Sequence, residues 1–350
     1  MLQVQKAHEL EVVELTKDLP QYGLAKGSQG TVLEVFDQPQ EAYMIEFIDE
    51  SGENSKIAEW VLPDQIDNVD LRAKPFFEKG LSLLKAGNGV EAAEQLRRAV
   101  NLWPNYLRLL HNLLAKNFES NRDWEQFIAG MRYLIEIDPA YEVAKRNLAI
   151  GFLNYGVEKA NEGELSNALD LFTRAFGIEA PHEFIALVRE NIAAAHVRLG
   201  IQSHEKGDLE NAMRHMQTAY MFLSTVGTRK NLALSYLNLA DRYFSERHYQ
   251  LAITNYTLAE EAGLRTPEGL NNRAIAHLHL EQVDEAIAAL EVGLVLDPNN
   301  KITQSNLALL KANHQALELI DRLQTKHFES QFQTIPLTGV VSISSVASVT

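Results

Sequence analysis

Asparagine recurs in this chain at a spacing that suits peptide recognition. "KRNLAIGFLNYG" stands at 145–156, "RENIAAAHVRLG" at 189–200, "RKNLALSYLNLA" at 229–240 and "QSNLALLKANHQ" at 304–315. In the first three, a second polar residue follows the leading Asn after seven positions: Asn147 and Asn154, Asn191 and Arg198, Asn231 and Asn238. Seven residues are two helical turns with a drift of only about 20°, so each pair lies on one helix stripe. A primary amide offers both a donor and an acceptor. A ladder of amides can grip the backbone of an extended peptide while side-chain pockets choose its sequence. The competing reading is structural, with the amides bonded to neighbouring helices or to orphan carbonyls.

Other chemistry is thinly represented. The chain has no nucleophile elbow, P-loop, dinucleotide fingerprint or His-Glu-x-x-His sequence. His277 and His279 fall on different faces of a helix, a poor chelate. His111, His196, His204 and His215 are scattered, with no carboxylates at ligand spacing. Glu260 and Glu261 read as a solvated helix face. The expectation is a chain that is no enzyme, with no catalytic residues, no metal site and no cofactor. Cysteine is absent, which excludes disulfides and thiolate sites and points to a reducing, cytoplasmic compartment. The first residues lack the pattern of a secretory signal. No apolar run approaches the roughly 18 residues that a membrane span needs.

The amides need helices to position them, and the helices follow a repeat. From Pro75 to about Leu323 the apolar pattern has a period near 3.6. Gly80, Leu83, Gly87, Ala92, Leu96, Ala99 and Pro104 set a spacing that returns. Gly156, Gly163, Ala168, Phe172 and Ala175 form one further set; Gly200, Gly207, Ala212, Met216 and Ala219 form the next. Ala240, Tyr243, Ala252, Tyr256 and Ala259 follow, then Ala274, Ala286, Leu290, Gly293 and Pro298. A degenerate member lies at Ala115, Phe118, Met131, Leu134 and Pro139, with Phe127 where a small residue belongs. Each unit reads as two antiparallel helices, A and B, in close approach at small residues. One such hairpin cannot bury its apolar face, so neighbours must stack. The pattern is identified as that of a tetratricopeptide-repeat protein, over about six repeats.

The small helix-B positions fall at 92, 127, 168, 212, 252 and 286. Repeats three to five are therefore longer than the family's usual unit, and the added length belongs in helix A. Two added turns would be roughly 11 Å. The resemblance implies that Asn154, Arg198, Asn238 and Asn272 face the repeat groove, with Asn147, Asn191 and Asn231 on the added turns. In the family such residues hold peptides, sometimes clamping a terminal carboxylate with basic partners. Here Lys145, Arg146, Arg189, Arg229 and Lys230 stand near the long helices' starts, out of clear register. A capping helix is expected over 301–326, and a Ser-rich flexible tail over 327–350.

Residues 1–70 differ in kind. "LEVVELT", "GTVLEVF", "AYMIEFI" and "KIAEWVL" read as short strands, divided by turn signals. With "LPQYGLAKGSQGTV" they resemble a family of small uncharacterised bacterial SH3-like domains, which implies a small all-β barrel and no known chemistry. This part holds four Lys against fifteen Asp or Glu, a net −11 of the total −15. Such a field repels phosphate backbones, so "KGSQGTV" is a turn rather than an RNA contact. The fold class expected is a solenoid of helical hairpins (71–326) behind an acidic SH3-like barrel (1–70). The partner is then a protein or peptide, with neither nucleic acid nor membrane. The function expected is a non-catalytic interaction scaffold. Its rivals are an immunity-type inhibitor whose acidic barrel covers a basic toxin, and a peptide-sensing regulator.

Overall fold

The computed structural model describes residues 7–48, 55–179, 181–312, 322–328 and 331–337. Five strands come first: β1 (Val12–Leu15), β2 (Gln29–Phe36), β3 (Ala42–Ile48), β4 (Ser55–Val61) and β5 (Ile66–Asn68). All neighbours run antiparallel, in the order β4-β3-β2-β1-β5. Alternation along β1 turns Val13 and Leu15 inward, where they meet Val32, Tyr43, Ile45, Phe47 and Val61 in one core. Gly30 is required by this packing. A Cβ there would stand 2.6 Å from Ile45 Cγ2 and 2.7 Å from the Glu46 carbonyl oxygen, so "KGSQGTV" has a structural reason for its second glycine.

The expected barrel is an open sheet. β4 and β5 are both edges and do not pair with each other among the described residues. β5 has only three residues, Ile66–Asn68, and pairs with β1 along one edge. A bulge in β4 opposite Tyr43 and Ile45 coincides with a left-handed Trp60, φ 65°. Its ring stacks on Phe36 at 5.2 Å and stays substantially exposed.

Thirteen helices follow among the described residues: α1 (Val69–Lys85), α2 (Gly89–Leu102), α3 (Asn105–Asn121), α4 (Trp124–Ile137), α5 (Glu142–Asn161), α6 (Leu165–Phe176), α7 (His182–Glu205), α8 (Leu209–Phe222), α9 (Val226–Ser245), α10 (Tyr249–Glu261), α11 (Pro267–His279), α12 (Val283–Leu296) and α13 (Lys301–Ala312). They fall into two compact units that part at Leu148 and Ala149, within α5. None of them is long and apolar enough to cross a membrane.

The hairpins close where the spacing places them. A Cβ on Gly80 would lie 2.5 Å from Leu96, on Gly156 2.5 Å from the Phe172 ring, and on Gly200 2.8 Å from Met216 Cε. Each A helix thus surrenders a side chain to admit a large residue of its B helix. Ala240 with Tyr256, and Ala274 with Leu290, repeat the contact in the later units. The second repeat solves the problem differently. Phe127 is buried against Phe118 at 4.8 Å and Trp124 at 6.0 Å. Gly130, facing Leu114, takes over the close approach. Pro104 caps α3, and Pro139 and Pro298 stand two residues beyond α4 and α12.

Turns within the hairpins share one form. Gly87, Gly163 and Gly207 take positive φ two residues after their helix, and the next amide reaches back: Asn88 to Leu83, Glu164 to Lys159, Asp208 to Ser203. In the fifth and sixth repeats Arg247 and Glu281 occupy the same position at φ 63°. The added helix length is where the spacing puts it. α5, α7 and α9 have 20, 24 and 20 residues, against 17, 17 and 13 in α1, α3 and α11.

Candidate peptide-binding site

Buried asparagine marks the A helices. Asn147, Asn191, Asn231 and Asn272 are fully buried, and Asn154, Asn271 and Asn306 nearly so. A buried amide left unbonded would cost roughly 1–3 kcal/mol, so each bond they make is informative. In the first unit, Asn147 Nδ2 donates to His111 Nε2 at 2.9 Å. That fixes the His111 proton on Nδ1, which lies 3.0 Å from the Tyr141 hydroxyl. Burial raises the pKa of Tyr141, so its hydroxyl stays neutral.

In the second unit the amides divide into two groups. Asn191 donates to the Leu187 carbonyl of its own helix at 2.9 Å. Asn238 donates to His204 Nε2 at 3.0 Å, and Arg198 donates to the Ala160 carbonyl at 3.3 Å. Asn154 is buried beside them. These contacts are between neighbouring repeats or within one helix. The basic residues near the helix starts are also structurally engaged. Arg189 donates to the Phe222 carbonyl and Arg229 to the Glu261 carbonyl, at the ends of α8 and α10. Lys145 pairs with Glu142 in its own helix.

Asn231 and Asn272 do something else. Asn231 Nδ2 donates to the Gln333 carbonyl at 2.7 Å, and the Gln333 N–H donates to Asn231 Oδ1 at 2.7 Å. Asn272 Nδ2 donates to the Lys326 carbonyl at 3.0 Å, and the Lys326 N–H donates to Asn272 Oδ1 at 3.4 Å. One side-chain amide therefore takes both backbone groups of one residue, as a neighbouring strand does in an antiparallel hydrogen-bonded pair. Asn306 repeats the arrangement on Gln324, at 3.0 and 3.3 Å, while Asn271 donates to the same carbonyl at 2.8 Å. Asn306 also donates to Asn271 Oδ1 at 2.8 Å, so the two amides brace each other.

The chain's own C-terminal segment thus lies along α13, α11, α9 and α7, running back toward the earlier repeats. Expectation and structure differ here. The capping helix reads as 301–326 in the sequence; α13 is described over Lys301–Ala312, residues 313–321 lie outside the described residues, and residues 323–328 are not helical. Their backbone groups are taken by Asn306, Asn271 and Asn272 instead of by a helical turn. Residues 327–328 and 331–337, expected within a flexible tail, are engaged as well. The Ser-rich residues 338–350 lie outside the described residues.

Side chains complete the contact. Leu323 packs with Leu278, Leu290 and Leu310, Phe328 with the Tyr256 cluster, and Phe332 and Ile335 with the Met216 cluster. The Phe332 ring meets His204 edge-on at 5.1 Å. Acidic groups face the segment's nitrogen side chains: Asp241 Oδ2 lies 3.1 Å from His327 Nδ1, and Glu268 Oε1 lies 3.8 Å from Lys326 Nζ. Asp241 is itself oriented by the Tyr256 hydroxyl, which donates to Oδ1 at 2.5 Å. Burial and the adjacent Asp241 carboxylate raise the pKa of Tyr256, which keeps it a donor. Beside Thr334 lies a cleft of about 350 Å³ bordered by Arg198 and Gln202.

Sequence reasoning found Asn231 and Asn272 by their spacing. It noted the recurrence at Asn306 without placing it in the site, and it missed Asn271 and Asp241, which no repeated spacing marks. Among the described residues no three His, Asp or Glu gather as metal ligands. The histidines find partners within the repeats. His196 Nδ1 lies 3.0 Å from His215 Nδ1, His277 Nδ1 bonds Gln282, and His279 stacks on Tyr249 at 4.0 Å.

Hairpins of this spacing, each closed by a small residue of one helix against a large residue of the next, define a helical-repeat protein. Residues 237–301 match the tetratricopeptide repeat family, and residues 9–59 match a domain of unknown function, DUF4926. The chain thus carries tetratricopeptide repeats within a solenoid of helical hairpins, with a small β-sheet domain before its helices. No curated protein matches the sequence. Solved structures of similar fold include Cut9–Hcn1 of the APC/C, 16% identical, with 68% of this chain and 42% of that chain covered at a TM-score of 0.28. This chain therefore spans less than half of that one. PilF of Pseudomonas aeruginosa is 19% identical over 69% of this chain and 99% of its own, at a TM-score of 0.25. The TPR2AB domain of yeast Sti1, in complex with pHSP90, is 16% identical over 71% and 98%, also at 0.25. At these TM-scores the likenesses carry no functional weight.

Proposed function

We propose that this chain is a non-catalytic protein–protein interaction scaffold whose A-helix groove takes an extended peptide of a partner. The observation that carries this reading is the bidentate hold of Asn231 and Asn272 on the backbone of residues in an extended segment. Backbone recognition by amides tolerates many sequences, and the apolar slots beside them supply selectivity. Asn147, Asn154, Asn191, Arg198 and Asn238 then serve chiefly as supports that fix the spacing of the repeats. The groove floor is acidic at Asp241 and Glu268, which favours a peptide carrying positive charge.

Capture of partners by the full chain tests the reading. Asn231→Ala with Asn272→Ala should lose the specific partner at least tenfold, with an unchanged helical circular-dichroism signal. A second variant, Asn154→Ala with Arg198→Ala and Asn238→Ala, should lose less. Because the two amides also hold the chain's own segment, the comparison is made in a chain that also carries Phe328→Ala and Phe332→Ala, where undiminished capture would refute the groove as the binding face.

A further inference from the structure

The groove is occupied, and its occupant has the contacts of a ligand more than those of a core strand. Gln324, Thr325, Lys326, His327, Gln333 and Thr334 are exposed, and Leu323, Phe328, Phe332 and Ile335 are only partly buried. The asparagines beneath are at most 2% exposed. The segment therefore covers a fully built polar floor while burying little of itself. A strand integral to the fold would contribute buried anchors, as Val13 and Leu15 do in the sheet. The amides read only backbone atoms, so another extended chain would satisfy them equally. Helix A has no need of the segment for its own hydrogen bonds.

We propose that residues 322–328 and 331–337 stand in for the partner peptide, and that the partner competes for the same groove. This rests on the scaffold reading above and adds the partner's chemistry. The partner is an extended segment with large apolar residues at the positions of Leu323, Phe328, Phe332 and Ile335, separated by five, four and three residues. Between the first two stands a basic pair, opposite Glu268 and Asp241 in the order of Lys326 and His327. Nine residues of sequence separate Ala312 from Arg322. The occupant is on the same chain as the groove, so it competes intramolecularly with any partner. A partner of lower affinity finds the groove closed, and one that matches the pattern better opens it. The device sets a threshold for binding without any change in the repeats.

A labelled synthetic peptide, RLQTKHFESQFQTIPL, tests this by fluorescence polarisation against the full chain. Phe328→Ala with Phe332→Ala in the chain weakens the internal segment and leaves the repeats untouched. The peptide should bind this variant at least tenfold more tightly than the unaltered chain. Gln333→Pro, which deletes the N–H bonded to Asn231 at an exposed position outside any helix, should give a gain in the same direction. Adding Asn231→Ala and Asn272→Ala to either variant should remove the gain. Equal affinity for the variants and the unaltered chain, or no binding to any of them, would overturn the proposal. The scaffold reading would survive that result if partner capture still depended on Asn231 and Asn272, and would fall separately if it did not.

Discussion

At the scale of single residues, the same side chain serves two ends according to what lies across from it. Asn238 meets an imidazole and ties one repeat to the next, whereas Asn231, two turns away on the same helix, meets a free backbone and grips it. Histidine shows how strongly burial decides such roles. His196 and His215 face each other at 3.0 Å between ring nitrogens. Burial first, and the neighbouring His215 second, push the pKa of His196 down to about 4, and burial lowers that of His215 too. Both are therefore neutral in the fold and share one N–H between them. The unfolded chain binds these protons more readily, near an ordinary value of about 6.5. Stability is then complete above about pH 6.5 and is lost as pH falls toward 4. Urea unfolding at about pH 7.5 and about pH 5 should show a smaller loss for His196→Phe than for the unaltered chain. Equal losses in the two proteins would contradict this assignment.

The helices obey a size rule at one point per hairpin. Gly200→Leu pushes a side chain into Met216 and should cost about 1–3 kcal/mol, read from the urea midpoint. The turns follow a backbone rule. Arg247 and Glu281 hold the left-handed conformation that glycine holds in three other repeats. Arg247→Gly should stabilise the chain by about 0.5–1 kcal/mol, since the cost of a side chain at positive φ outweighs the added freedom of the unfolded glycine. Gly163→Ala should destabilise it by a similar amount. These features were legible in the sequence because small and large residues alternate at fixed offsets, and the glycines punctuate them. The longer α5, α7 and α9 were legible from the intervals alone. The openness of the sheet was not, because closure depends on whether the two edge strands β4 and β5 meet in space, which no local pattern encodes. Phe127 was another blind spot. Its misfit is absorbed by Gly130, a residue that no repeat spacing marks.

At the scale of the molecule, the repeats build a surface and the end of the chain lies upon it. Sequence reasoning anticipated a ladder of amides for a partner peptide; Asn231 and Asn272 hold backbone of the chain's own segment, whereas Asn191, Arg198 and Asn238 bond within or between repeats. It did not anticipate the occupant. Residues 322–337 have neither helical nor alternating periodicity, because their place is set by backbone bonds to distant side chains and by four irregularly spaced apolar contacts. Such a segment is invisible to any local pattern. The central claim is that asparagine side chains on the A helices bind extended backbone. Amide hydrogen exchange measured residue by residue in the full chain tests it most directly. The Gln333 and Lys326 amides should exchange well below their intrinsic rates, with Asn231→Ala releasing Gln333 and Asn272→Ala releasing Lys326. Exchange of both amides at the intrinsic rate in the unaltered chain would contradict the account.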